Sequence, residues 1–370
     1  MENKNYARWT LHGQHGIDSL VLDHPPTISL QELSDDYVLV KIHAASLNYK
    51  DLRIASGTPG LAFKDGVVPV SDGAGVVVAV GSSVKEFKSG DRVVTHIAPH
   101  VDEEQLPGFG DATKGLGLSL DGTLQEFGVY PESTLIPMPK NLSFEQAATL
   151  SCSALTAWNA LFGIESKKIT KGSWVLVQGT GGVSIAALQV RAALTCRVLQ
   201  NLQLVVQFAR AVGASVVATT GSAEKVERVQ KLGAEEVINY REDHDWDQTA
   251  KNVTPHGRGF DHIAEVGGNS TLAKSLKSVR TDGVISSTGF LGPSADGKDP
   301  LIVEILFHVC IVRGVLLGSK KQFRDMVRFI EEFDVQLAVD DIVFSLDQAK
   351  EAYRRLQEQK HFAKVVIKIA

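Results

Sequence analysis

The residues best placed by type and spacing to do chemistry are Gly179, Gly181 and Gly182, in the run WVLVQGTGGVS from Trp174 to Ser184. Trp174, Val175, Leu176 and Val177 read as a short strand covered on both faces, and the glycines turn the chain out of it into a helix. That arrangement points backbone N–H groups and a helix N-terminus at a dinucleotide pyrophosphate. Gly179 allows the tight turn, Gly181 lets the backbone approach phosphate, and Gly182 keeps side-chain bulk away. Thr180 and Val183 complete the loop, and Ser184 stands where a third glycine is usual. A glycine-rich turn after a strand is also an ordinary loop, so the sequence around it has to decide.

The next strand, SVVATT at 215–220, should close a βαβ unit about 20 residues after the glycines. It arrives 39 residues after Gly181, and the unit from Trp174 to Thr220 runs to 47 residues against roughly 30. Removing the 18 residues Val190–Gln207 restores a spacing of 21 and joins Ala186–Gln189 to Phe208–Ala214 as one amphipathic helix. The segment VRAALTCRVLQNLQLVVQ is apolar on nearly every face and holds no glycine or proline to shape a surface loop. Two readings stay open. One is a translated intron or gene-model error, since 18 codons can begin with GT and end with AG. The other is a genuine helix extension used for oligomer contact.

The elements that must position this loop follow from patterning. At 370 residues the chain is long enough for two domains with sizeable cores. Up to about residue 150, short apolar stretches lie between turn signals, at Tyr37–Ala44, Val76–Val80 and Asp91–Thr95, and suggest a β-rich barrel. From about 150 strands and helices alternate: Trp174–Val177, SVVATT, Val237–Tyr240, Phe260–Val266 and Gly283–Thr288. Five strands with helices between them call for a doubly wound parallel sheet. A helix at Gln322–Phe333 and a terminal VVIKI then return to the first domain, completing it with residues 311–370.

Composition narrows the partners. A net charge of −5 carries no basic footprint for nucleic acid. Cys152, Cys196 and Cys310 are few and widely spaced, which fits a reducing compartment. The start MENKNYARWT lacks a signal-peptide apolar run, and the apolar stretch 301–317 contains Glu304, His308 and Arg313. We expect a cytoplasmic protein with a small-molecule substrate and no membrane or nucleic-acid partner.

Several stretches in order, SLNYKDLRIASG (46–57), PVSDGAGVVVAVGSSVKEFKSGDRV (69–93), AATLSCSALTAWNALF (147–162), LGAEEVINYRE (232–242) and HFAKVVIKI (361–369), carry a resemblance across nearly the whole chain. It resembles the medium-chain dehydrogenase/reductases of the zinc-independent, quinone-oxidoreductase-like branch. The resemblance implies an α/β protein with a GroES-like β-barrel catalytic domain (1–150 completed by 311–370), a Rossmann domain (151–310), a cofactor between them and a homodimer.

Zinc-dependent relatives use an early cysteine and a histidine–glutamate pair, because Zn²⁺ takes thiolate, imidazole or carboxylate ligands. Here those sites read Ser46-Leu47-Asn48 and Ser71-Asp72-Gly73, and 96–127 holds no cysteine, so no metal is expected. A carbonyl without zinc must be activated by hydrogen bonds or a positioned acid. Family position implies Asn48, Lys50, Asp51, Asp72 and Thr156 for this side of the chemistry, with Tyr49 as another proton donor. Asp51 and Lys50 read equally as loop-fixing groups, and Asp72 as a turn-capping carboxylate.

The strand ending Thr219-Thr220-Gly221-Ser222 lacks the acid that binds an NAD ribose, so NADPH is expected over NADH. Ser222 and Lys225 suit a phosphate, and family position adds Tyr240, Phe290, Gly318, Ser319 and Lys364 as cofactor contacts. The function so implied is an NADPH-dependent oxidoreductase delivering hydride to an enone, quinone or aldehyde. The alternatives are a zinc-free alcohol dehydrogenase and a non-catalytic NADPH-binding redox sensor.

Overall fold

The computed structural model describes residues 5–29, 31, 33–57, 62–178, 201–289 and 299–370. The chain divides into two units, Met1–Leu155 with Leu317–Ala370, and Thr156–Leu316. The glycine loop from Gly179 through Val183, Phe290 and the segment 190–200 lie outside the described residues.

In the first unit, β1 (Arg8–Leu11) and β2 (Leu20–Asp23) form a hairpin. The remaining strands before the second unit are β3 (Tyr37–Ser46), β4 (Asp72–Val80), β5 (Arg92–Thr95), β6 (Phe127–Pro131) and β7 (Leu135–Pro137). With them come the short helices α1 (Tyr49–Ala55), α2 (Phe109–Thr113) and α3 (Phe144–Ala147). Residues two apart on a strand share a face. Val38, Val40 and Ile42 of β3 accordingly pack with Val77, Val93, Tyr130 and Leu135, a barrel interior. After a register shift between Ile42 and Ala44, Ala45 and Leu47 join a second core with Leu52, Ile54, Tyr353 and Val365.

The second unit is a six-stranded, all-parallel sheet. Its helix α4 (Leu155–Phe162) starts at the boundary and is followed by β8 (Trp174–Val177), α5 (Asn201–Ala211), β9 (Ser215–Thr220), α6 (Ala223–Lys231) and β10 (Glu236–Asn239). Then come α7 (Trp246–Val253), β11 (Phe260–Glu265), α8 (Asn269–Ser278), β12 (Val279–Ser287), α9 (Val303–His308) and β13 (Ile311–Gly314). The order β10-β9-β8-β11-β12-β13 is the doubly wound order of dinucleotide-binding folds, with the switch of direction beside β8. Leu176, Val217, Ile263 and Ile285 from four neighbouring strands form its core.

Two differences from the sequence expectation have physical causes. The sheet has a sixth strand, β13, whose four partly exposed residues carry too little pattern to stand out from the apolar stretch around them. β12 begins at Val279 rather than Gly283; its polar start Arg280-Thr281-Asp282 hides the strand from the sequence pattern, with Thr281 and Asp282 exposed and a register irregularity before the buried part. As for the segment 190–207, its last seven residues are helical and continuous with Phe208 in α5. Leu204, Val205 and Val206 are buried there beside Phe208 and Ala209.

The chain re-enters the first unit as α10 (Lys320–Glu332), β14 (Val339–Ser345), α11 (Ala349–Gln357) and β15 (Lys364–Lys368). β15 runs antiparallel to β3, with Val366 opposite Ser46, and parallel to β14. The loops on either side of β5 are strapped to the start of α10: Lys320 Nζ donates to Pro99 O, and Arg324 pairs with Glu86 and Glu103.

Inside that strap His96 is fully buried, its Nδ1 accepting from Ala98 N–H and its Nε2 donating to Gly318 O. Burial pushes its pKa down from 6.5 to about 4, against the pull of those backbone contacts. The unfolded chain therefore takes up this proton first as pH falls. The stabilisation is complete above about pH 6.5 and drains away toward pH 4, by roughly 3 kcal/mol in all. Urea midpoints measured from pH 7 to 4 should show that loss, and H96N should flatten the slope while keeping a donor to Gly318.

Candidate active site

α1 is entered through Asn48, an extended residue at the helix N-cap whose side chain makes no capping hydrogen bond. The carboxylate of Asp51 does that work instead, accepting from Asn48 N–H at 2.7 Å through Oδ2 and from Lys50 Nζ at 3.0 Å through Oδ1. Asp72 opens β4 two residues after Val70, a fully buried valine held at φ 71°, a conformation that strains a β-branched residue. Asp72 Oδ1 accepts from Ser71 Oγ at 2.8 Å, and Oδ2 accepts from Cys152 N–H at 3.3 Å.

The terminal strand β15 brings Lys364 into this group. Its ammonium donates to Asn48 Oδ1 at 2.6 Å and to Leu47 O at 2.9 Å, and lies 3.5 Å from Asp72 Oδ2. Ser153 Oγ donates to the same Asn48 oxygen at 3.2 Å. Two buried ammoniums thus face two buried carboxylates, which is the condition under which charges survive burial. For Lys50 burial opposes the charge, but Asp51 and Asp72 together outweigh it and hold the pKa above its ordinary value. For Lys364 burial prevails over the attraction of Asp72 and pulls the pKa down.

One polar atom of this cluster is left over. Asn48 Nδ2 is buried and has no hydrogen-bond partner among the described residues. The hydroxyls beside the cluster are engaged elsewhere, Ser46 donating to Val365 O and Ser71 to Asp72. Among the described residues no group of three or more His, Cys, Asp or Glu side chains is placed to hold a metal ion.

In the second unit the candidate residues gather at the carboxyl ends of β8, β9, β10 and β11. Gln178, just before the glycine loop, donates from Nε2 to Glu265 Oε2 at 2.8 Å. Glu265 is fully buried and its other oxygen accepts from Gly267 N–H, Gly268 N–H and Thr271 Oγ1. Burial raises its pKa although four hydrogen-bonding partners oppose the shift. This carboxyl fastens the exit of β8 to the start of α8. Beside it, Ser222 begins α6 without using its hydroxyl as a cap, and Gly221 lies so close to Tyr240 that a Cβ would stand 2.5 Å from the phenol oxygen. Arg241, which the sequence pattern did not single out, places Nε 3.1 Å from that same point.

Residues 34–140 match the alcohol dehydrogenase GroES-like domain family, and residues 203–332 match the zinc-binding dehydrogenase family. A zinc-type alcohol dehydrogenase-like protein of Schizosaccharomyces pombe is 42% identical over 343 residues, covering 92% of each chain. The chain belongs to the medium-chain dehydrogenase/reductase family.

Other members agree. A quinone oxidoreductase of Mus musculus is 32% identical over 302 residues, covering 80% of this chain and 76% of its own. A crystal structure from Sinorhizobium meliloti 1021, provisionally called an alcohol dehydrogenase, superposes with a TM-score of 0.86 at 33% identity over the whole of both chains. As a medium-chain dehydrogenase/reductase the protein is an oxidoreductase on a nicotinamide cofactor, with a GroES-like unit and a Rossmann unit. No helix among the described residues is long and apolar enough to cross a membrane.

The remaining candidates from the sequence are placed as follows. Asn48, Lys50, Asp51, Asp72 and Lys364 form the cluster above. Thr156, in the second unit, donates from Oγ1 to Leu316 O. Gly318 gives its carbonyl to His96, and a Cβ on it would strike Leu155. Ser319 caps α10 by accepting from Gln322 N–H. Lys225 is half-buried on α6. D51A would remove the nearest counter-charge of buried Lys50 together with the α1 cap. It should cost about 3–5 kcal/mol in urea unfolding; a midpoint equal to wild type would mean that Lys50 finds compensation elsewhere.

Proposed function

We propose that the protein is an NADPH-dependent reductase that delivers hydride to the electron-poor carbon of an enone, quinone or aldehyde without zinc. The observation that carries this reading is Asn48 Nδ2, a buried amide donor with nothing to donate to. Leaving such a donor unsatisfied costs about 1–3 kcal/mol, a cost recovered when a ligand oxygen arrives. A hydrogen bond aimed at an oxygen that becomes negative lowers the barrier by stabilising that charge. Bound NADPH would supply the hydride; the chain supplies the donor and a preorganised, charge-balanced wall behind it.

The donor set around Asp72 does not fit zinc. The stretches Ser46-Leu47-Asn48 and Ser71-Asp72-Gly73 supply neither a thiolate nor an imidazole, and Lys364 puts a positive charge 3.5 Å from the Asp72 carboxylate. A stopped assay at the NADPH absorbance band with trans-2-hexenal, 1,4-naphthoquinone and hexanal tests the reading. Turnover of at least one, unchanged by metal chelators and reduced about 100-fold in N48A, is expected. NADPH binding with no turnover on any of them would favour the redox-sensor alternative, and oxidation of alcohols alone the alcohol dehydrogenase.

The cofactor preference rests on the ends of β9 and β10. Tyr240 and Arg241 approach Gly221, Ser222 and Lys225 follow it at the start of α6, and the strand end carries no carboxylate, a set suited to a 2′-phosphate. R241A should raise KM for NADPH about tenfold while leaving NADH within about twofold. An equal loss for both cofactors would remove Arg241 from phosphate recognition.

We read the protein as a cytoplasmic homodimer. β13 is an edge strand of the parallel sheet, and α9 next to it exposes Leu306 and Phe307 at 70% and 74%. An open strand edge flanked by exposed apolar side chains is a template for pairing with a second copy. F307D should convert the dimer to a monomer by light scattering; an unchanged mass would place the dimer contact elsewhere or remove it.

A further inference from the structure

Resting on the reading of Asn48 above, we propose that Lys364 is a positioning residue that orients the Asn48 amide, so that Nδ2 is the face offered to the substrate oxygen. The chemistry of the two groups fixes the direction. An amide presents an oxygen that only accepts and a nitrogen that only donates, and an ammonium only donates. Lys364 Nζ, 2.6 Å from the amide, therefore requires the oxygen on its own side, and Ser153 Oγ at 3.2 Å reinforces that choice. The NH₂ group is left turned the other way, buried and without a partner.

The contact with Asn48, at 2.6 Å, is also shorter than the 3.5 Å to Asp72. A lysine serving only as counter-ion to Asp72 would show the opposite ranking. The ammonium has a second effect. Hydrogen bonds in a chain polarise one another, so a positive donor at Oδ1 strengthens the N–H groups on Nδ2 as donors. The positive charge that a metal would bring to the substrate oxygen directly is here applied one amide away. Lys364 is nearly inaccessible at 1% exposure, and its strand is locked by pairing with β3. The orientation is therefore built into the folded unit before any ligand binds.

Two measurements test the proposal. In protein labelled with ¹⁵N-asparagine, the Asn48 side-chain NH₂ pair is assigned by its loss in N48D. K364M should move that pair, and S153A should move it less; a pair that stays in place in K364M overturns the proposal without any assay of activity. In turnover of NADPH with trans-2-hexenal, K364M should lower kcat by tenfold or more, with the Kd for NADPH by fluorescence within twofold of wild type. S153A, which keeps every charge in place, should lose a few-fold and serves if K364M does not fold.

The double variant separates this idea from the one it rests on. If Lys364 acts through Asn48, adding K364M to N48A changes kcat by less than twofold. If N48A retains wild-type kcat, the reading of Asn48 as donor falls. If N48A loses activity but K364M adds its full loss on top, Asn48 stands and the positioning role of Lys364 falls. A weaker NADPH affinity in K364M with kcat held would make it a cofactor contact, and overturns the proposal.

Discussion

The pairing of β15 with β3 is the constraint on which the site depends. Val366 lies opposite Ser46, and this register brings Lys364 against Leu47 and Asn48, more than 300 positions away in the chain. An ammonium delivered to that depth needs carboxylates within reach, and Asp72 and Asp51 provide them. The carboxylates in turn could not be buried alone. Each of the four charges is tolerable because the others are present, so the edge of the barrel, the start of α1 and the chain terminus form one electrostatic unit.

The second unit solves a different problem with similar means. The carboxyl ends of parallel strands beside a switch in strand order are where ligands bind in such sheets. Backbone groups there are not consumed by the sheet. Glu265 ties several of them down, joining the end of β8 to the start of α8 through Gln178 and two backbone amides. A flexible exit from β8 would blur the position of anything docked on the following turn. The buried carboxyl keeps that exit fixed at the cost of desolvating a group that would otherwise sit in water.

Much of this was legible in the sequence, for reasons that can be named. Strands such as Ser215–Thr220 and Trp174–Val177 were readable because they are short apolar runs bounded by turn residues, and buried parallel strands have that composition. Asn48, Lys50, Asp51 and Asp72 stood out through family position, but their mutual contacts did not. The partner of Asn48 sits at the far end of the chain, and local pattern carries no information about such a pairing. Arg241 was missed because an arginine following a strand is usually a solvated one; its approach to Gly221 follows from how the ends of β9 and β10 are aligned. α5 shows a further limit. Leu204, Val205 and Val206 of the excess segment are buried in that helix, since an apolar stripe fills such a slot without regard to which part of the chain supplies it.

The charge balance around Asp72 bears on how such a site can change over time. A buried ammonium and a divalent cation repel each other and compete for the same oxygen atoms. Removing Lys364 alone would strand two carboxylates with one counter-charge. A change at any one of the four charged positions is therefore constrained by the other three.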